Sequence, residues 1–297
     1  MTAPKVTSMS KAPKIEINRH AHPLELSWKL SNVHVSIANA IRRSIPTMVR
    51  TMALECVEVQ INHNTVMSET MLGHRLGLIP LVAAHLPRAC SCERGCIDCA
   101  PSFELDIENN THHLRDITAA DLIPSATNTI PIRVVNPNDP ITVIGFGQRI
   151  KLIAWALVGK GEDHAQWNPG VTSMVPMARI RVNKNLLNST QRAQVAAICP
   201  QGVFSSDLDV EELPKCTICQ RCSTFTETEF KIRDAIAVDS NMNEFLFKVE
   251  DNGSLTAAES TKQGLLELKS FFAAKRGMIE TLIKVQANRK NRTAIPS

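Results

Sequence analysis

"SNVHVSIANAIRRSIPTMVRTMALECVEVQINHNTVMSETMLGHRLGLIPL" occupies residues 31–81, and its periodicity changes twice along the way. In residues 31–46 the apolar set Val33, Ile37, Ala40 and Ile41, with Ser44 one step on, follows the spacing of one helical face. Pro46 is expected to limit that helix. Asn39, Arg42 and Arg43 stand at i, i+3 and i+4 and share the opposite face, pointing away from the core. Residues 52–62, "MALECVEVQIN", alternate and predict a strand, in which Cys56 reads as a plain buried thiol. Residues 68–81 predict a short helix that stops near Gly77, then an extended piece through Pro80.

Outward from this stretch, residues 14–30 read as one or two strands. "FELDIE", "TIPIRVV" and "ITVIGFG" between 103 and 148 read as short strands separated by turn signals. Residues 151–160 predict a strand, 161–170 a loop around Trp167, and 173–183 a return strand. Two more strand-like pieces are "EFKIRDAIAVD" (229–239) and "EFLFKVED" (244–251). "TAAE" (256–259) fits a capping box, with Thr256 as N-cap and Glu259 at the third helical position. The helix it opens runs from about Ala257 to Gln286, with Leu265, Leu268, Phe272, Ile279 and Leu282 on heptad-like spacing and Lys275 interrupting. Such a stripe serves either a core or a partner helix. Residues 1–13 read as a disordered tail and 287–297 as a loose basic one.

The length of 297 residues suits about two domains, and 43% apolar with 21% charged residues describes a globular chain. A net charge of +4, spread along the sequence, is too weak to argue for nucleic-acid binding. The longest apolar run, residues 150–159, is half a membrane span, and the N-terminus lacks the apolar core of a secretory signal. Neither a dinucleotide fingerprint nor a phosphate-binding loop is present. His164 beside Asp163 is no catalytic pair, because sequence neighbours rarely face each other.

Nine cysteines in a chain of this kind are expected as reduced thiols or metal ligands. Cys90, Cys92, Cys96 and Cys99 form "CSCERGCIDC", a spacing suited to a structural zinc; the alternative is a loop of reactive thiols. Four thiolates would close the coordination sphere and leave no catalytic position. Cys199, Cys216, Cys219 and Cys222 form a second set in ferredoxin-like wording. A two-cluster ferredoxin would also need cysteines at positions held by Ser189, Arg192, Val195 and Thr226. One cluster's ligands are thus missing and the other's are complete, which points to a single [4Fe–4S] cluster, with zinc or free thiols as the alternatives. A DNA-reading zinc protein would need a basic helix beside its zinc, whereas "APSFELDIEN" after Cys99 is acidic and strand-like.

"NAIRR", "HRLGLIPL", "HAQWNP" (164–169) and "EDNGSLTAAE" (250–259), in that order, resemble the α-type assembly subunits of multisubunit RNA polymerases. That family includes the third-largest subunit of eukaryotic polymerase II and the archaeal D subunit. The zinc loop resembles the polymerase II type and the second cysteine set the archaeal type. The resemblance implies an α+β fold with a discontinuous dimerisation domain, residues 14–60, 171–190 and 240–286. A mixed α/β insert domain with the zinc loop would fill 61–170, and a ferredoxin-like cysteine module 191–239. It also implies a non-catalytic subunit whose first and last helices pair with a smaller α-like subunit. That pair would form the platform for the large catalytic subunits, with small zinc-binding subunits alongside and DNA met only indirectly. Asn39, Arg42 and Arg43 would contact a large subunit. The setting would be the nucleus in a eukaryote and the cytoplasm in an archaeon. A single-cluster electron-transfer protein is the alternative reading.

Overall fold

In the computed structural model the described residues are 12–18, 25–64, 66–87, 90, 96 and 98–293, the side chains of Asn18 and of residues 284–293 excepted. The chain begins with β1 (Lys14–Asn18), β2 (Glu25–Ser31), α1 (Val35–Met48), β3 (Arg50–Asn62), α2 (Glu69–Gly77) and β4 (Leu81–Ala83). Then follow β5 (Ser102–Glu108), β6 (Arg115–Thr118), β7 (Ile123–Pro124), β8 (Ile132–Val134), β9 (Pro140–Ile144) and β10 (Arg149–Lys160). The last part holds β11 (Gly170–Val182), α3 (Ser189–Ile198), α4 (Arg221–Glu229), β12 (Ile236–Asp251) and α5 (Ala257–Thr293). The fold is mixed α+β. It divides into two units, one of residues 1–22, 26–42 and 173–248, the other of 23–25, 43–172 and 249–297.

The first unit is built on a sheet in the order β1-β2-β12-β11. Residues 14–30 thus form two strands, paired antiparallel with Ile15 opposite Leu30 and Ile17 opposite Trp28. Trp28 stacks on Phe247 with ring centroids 4.1 Å apart. Leu187, Val195, Val203, Phe204, Leu208, Ile236 and Val238 make a separate small core. The strand expected from residue 229 starts only at Ile236, because Lys231 and Asp234 adopt positive φ (56° and 61°) and turn the chain. From there β12 runs unbroken to Asp251 and joins two segments that read separately in the sequence.

The second unit holds a sheet in the order β3-β10-β5-β7, with the pairs β4-β8 and β6-β9. Its core includes Met52, Leu54, Leu72, Leu76, Phe103, Leu105, Ile117, Ile141 and Leu152. Full burial of a side chain such as Phe103 contributes about 1.5–3 kcal/mol. Ser68 caps α2 by accepting from the Met71 N–H at 3.3 Å, which fixes the start of that helix. Thr256 and Glu259 form the expected box at α5: the Thr256 N–H donates to Glu259 Oε2 (3.2 Å) and the Glu259 N–H to Thr256 Oγ1 (3.3 Å).

Four sequence expectations need correction. Cys56 is exposed, not buried. The β3–β10 register slips between Trp155 and Ala156, so Glu55 is an extra residue, and both Glu55 and Cys56 face solvent. A bulge resets strand parity in this way, and Val57 and Val59 then take over the inward face. Helix α1 runs through Pro46 to Met48. The proline sits in the last turn, where the N–H it lacks costs one hydrogen bond, while Thr47 Oγ1 donates to the Arg43 carbonyl at 2.7 Å. The buried column of α1 is Ala38, Ile41, Ser44 and Ile45, so Ile37 is left exposed. Helix α5 continues past Gln286 to Thr293, into the basic tail.

Candidate functional site

Two thiol sites and one helix face stand out. In the first thiol site, Cys90 Sγ lies 3.7 Å from Cys96 Sγ, and Cys96 Sγ lies 3.5 Å from Cys99 Sγ. Sulfurs bound at about 2.3 Å around one tetrahedral ion stand roughly 3.8 Å apart, so these spacings fit a single metal ion. The turn that makes them is set by Cys99 and Ala100, whose N–H groups both donate to the Cys96 carbonyl (3.0 and 2.8 Å). The Cys96 N–H donates to Cys99 Sγ at 3.2 Å. Among the described residues this is the one group of three ligand side chains within 4.8 Å of one another. Cys92, the fourth expected ligand, lies outside the described residues.

The second set is brought together by tertiary structure. Cys199 terminates α3, Cys216 ends a short 3-10 turn, Cys219 lies in the following loop and Cys222 enters the first turn of α4. All four line one pocket, together with Pro200, Phe204 and Val238. No three of their sulfurs lie within 4.8 Å of one another, unlike those of the first set. Burial pushes the Cys222 thiol up, and Cys199 and Cys216 push it the same way when ionised. Sequence spacing gave no sign that Ile218 and Gln220 adopt left-handed backbone, φ 55° and 58°. That conformation is unfavourable for a β-branched residue such as Ile218. Val195 and Thr226, which stand where a second cluster would need cysteines, are fully buried.

The helix face is the distal half of α5. Leu265 and Leu268 are half-buried, whereas Phe272, Ile279 and Leu282 are exposed. The structure adds a neighbouring column that the sequence reading missed: Phe271, Met278 and Ile283 are exposed as well. Phe271, Met278 and Leu282 repeat at steps of seven and four, as do Phe272, Ile279 and Ile283. That is the spacing of a coiled-coil seam, and the i, i+1 neighbours carried the signal. Lys275 does not break it; its ammonium lies over the Phe271 ring at 5.3 Å. At the base of α5, Gly264 backs onto Ile45 of α1, close enough that a Cβ would meet Ile45 Cγ1 at 2.9 Å.

On α1, Asn39 and Arg42 are half-buried and Arg43 is exposed. Arg42 Nε donates to Asn39 Oδ1 at 3.0 Å, which holds the guanidinium along the helix. The loop 164–169 is tied to β3 and β10. The Thr51 hydroxyl donates to the Trp167 carbonyl (2.7 Å), the indole N–H donates to the Leu157 carbonyl (3.0 Å), and Gln166 donates to Glu55. Trp167 needs Gly159 beneath it, since a Cβ there would collide with the indole. No helix among the described residues is long and apolar enough to cross a membrane.

Residues 59–177 match the family model described as RNA polymerase Rpb3/RpoA insert domain. Over 272 residues the chain is 31% identical to DNA-directed RNA polymerase II subunit rpb3 of Dictyostelium discoideum, covering 84% of this chain and 89% of that protein. It is 33% identical to DNA-directed RNA polymerase subunit Rpo3 of Methanosarcina acetivorans, covering 80% and 89%. It is 26% identical to DNA-directed RNA polymerases II, IV and V subunit 3 of Arabidopsis thaliana, covering 89% and 90%. These relatives give no support to the electron-carrier alternative. With matches of this identity running nearly end to end, the chain belongs to the subunit 3 (Rpb3/Rpo3) family of DNA-directed RNA polymerases.

Proposed function

We propose that this chain, a non-catalytic assembly subunit of a DNA-directed RNA polymerase, pairs through α5 and α1 with a smaller α-like subunit. The pair serves as the platform on which the large catalytic subunits assemble, with small zinc-binding subunits alongside. The observation that carries the pairing is the double apolar column on distal α5, exposed over residues 271–283. Six large apolar side chains on one helix face are costly to leave in water, and their heptad spacing matches a partner helix. Asn39, Arg42 and Arg43 contact a large subunit. Residues 14–60, 171–190 and 240–286 serve as the dimerisation domain, 61–170 as the insert domain and 191–239 as a ferredoxin-like module. The site of action follows the polymerase, in nucleus or cytoplasm.

In this reading Cys90, Cys92, Cys96 and Cys99 hold zinc. A four-thiolate zinc has a closed coordination sphere and supplies a cross-link rather than chemistry. Cys199, Cys216, Cys219 and Cys222 hold a [4Fe–4S] cluster, which braces a module too small to be stable by its own core. Two features support it: the cavity lined by all four thiols, and the left-handed residues Ile218 and Gln220 between them. Alternation of left- and right-handed backbone makes the amide nests common at iron–sulfur sites. The chain's own contribution is to bring α3 and α4 together and to exclude water with Phe204 and Val238.

Affinity purification of the tagged chain, with quantitative mass spectrometry and metal analysis of the same sample, tests the proposal. Large polymerase subunits and one smaller α-like chain in equal amounts are expected, with zinc and iron both present. Recovery of the chain without polymerase subunits would overturn it.

A further inference from the structure

Strand β3 is an edge: among the described strands it pairs only with β10. Beside it, between β3 and the first turns of α2, lies an open groove. Val57 and Val59 form its apolar floor, both half-buried because the bulge at Glu55 turned them inward where α2 covers them only in part. Glu69, Thr70, Gly73 and His74 line the helical wall, and Glu55 closes one end. Gly73 leaves a gap in that wall, since a Cβ placed there meets nothing within 4 Å. Glu58 is exposed on the same strand. None of Glu55, Glu58 and Glu69 is engaged in an ion pair among the described residues; Glu55 accepts only from the neutral Gln166. No lysine or arginine lines the groove.

We propose that this groove docks a basic, extended segment of a partner polypeptide. Such a segment lays a β-branched apolar side chain over Val57 and Val59, beside Gly73, and brings lysine or arginine side chains to Glu55 and Glu69. Extended segments bind sheet edges through the backbone, with alternate side chains setting specificity, and unpaired carboxylates select the charge. The occupant is a peptide segment rather than a helix, because a helix of about 10 Å diameter has no second wall to pack against here. The docking uses no residue of α1 or α5 and is therefore independent of subunit pairing.

The test is fluorescence anisotropy of a labelled peptide of alternating lysine and valine against the full-length chain, with an alternating glutamate–valine peptide as control. Binding that weakens with salt, falls about tenfold in Gly73→Leu and several-fold in Glu69→Gln supports the proposal. Leucine fills the gap and also favours the helix over glycine, so Gly73→Leu is expected to fold; Glu69→Gln carries the test should it not. Equal binding by Gly73→Leu, or by the glutamate–valine peptide, overturns the proposal. So does a marked gain in binding when residues 1–11 are removed, since the groove would then be the seat of the chain's own N-terminus. Pairing with the smaller subunit, measured on the same Gly73→Leu protein, reports separately on the proposed function.

Discussion

Replacing Ile279 and Leu282 together by alanine separates a partner surface from a core. In this chain their exposures are 57% and 63%. Full burial of such a side chain is worth about 1.5–3 kcal/mol, so a partner helix that covers the exposed part gains roughly 1–2 kcal/mol at each position. The double variant therefore weakens pairing by about 2–4 kcal/mol, raising the dissociation constant roughly 30- to 1000-fold. Its thermal stability as a free chain changes little, because exposed positions away from caps and cores usually move stability by no more than about 0.5 kcal/mol. Alanine also favours the helix, so loss of helicity cannot account for weaker pairing. Isothermal titration of the smaller α-like subunit into each protein reads the affinity, and calorimetric melting reads the stability. Unchanged affinity, or a melting temperature that falls as for a core truncation, would refute the assignment of this face to a partner.

Cys96→Ser removes the sulfur that lies within 3.7 Å of both Cys90 and Cys99, and elemental analysis is expected to show one zinc fewer per chain, with iron unchanged. Cys222→Ser is expected to do the reverse, abolishing the visible absorption of the cluster while zinc stays bound. Gly161→Ala places a Cβ against the Pro46 carbonyl, a backbone atom that has no rotamer to escape into, and is expected to cost about 1–3 kcal/mol in denaturant unfolding. Thr256→Ala removes the hydroxyl that caps α5 and is expected to cost about 1 kcal/mol in the same measurement.

Local chemistry made several elements legible in advance. The Thr256–Glu259 pair ahead of α5 is a cap whose partners lie three residues apart, and it formed as read; Ser68 caps α2 over the same short span. The first cysteine set is equally local, and its described sulfurs meet at metal-ion spacing. The convergence of Cys199 with Cys216–Cys222 is tertiary, and only the ferredoxin-like wording hinted at it. What stayed hidden was set by register and backbone strain. Nothing in "MALECVEVQIN" marks Glu55 as the extra residue of a bulge, so strict alternation put Cys56 on the wrong face. Ile218 has a side chain that resists left-handed backbone, so no propensity argument finds it there. On α1 the buried column keeps Ile41 and Ser44 of the expected one but takes Ala38 and Ile45 in place of Ile37 and Ala40, because Val33, Ile37 and Ile41 make as good a sequence stripe as Ala38, Ile41 and Ile45.

Hydrogen–deuterium exchange across α5, with and without the smaller α-like subunit, is the most direct measurement. Residues 271–283 are expected to exchange quickly in the free chain, where that face has no cover, and to gain strong protection on mixing, while the protection around Gly264 and Ile45 changes little. Exchange in residues 271–283 that is already slow in the free chain, or that does not slow when the partner is added, would contradict the claim that this helix face is built for assembly.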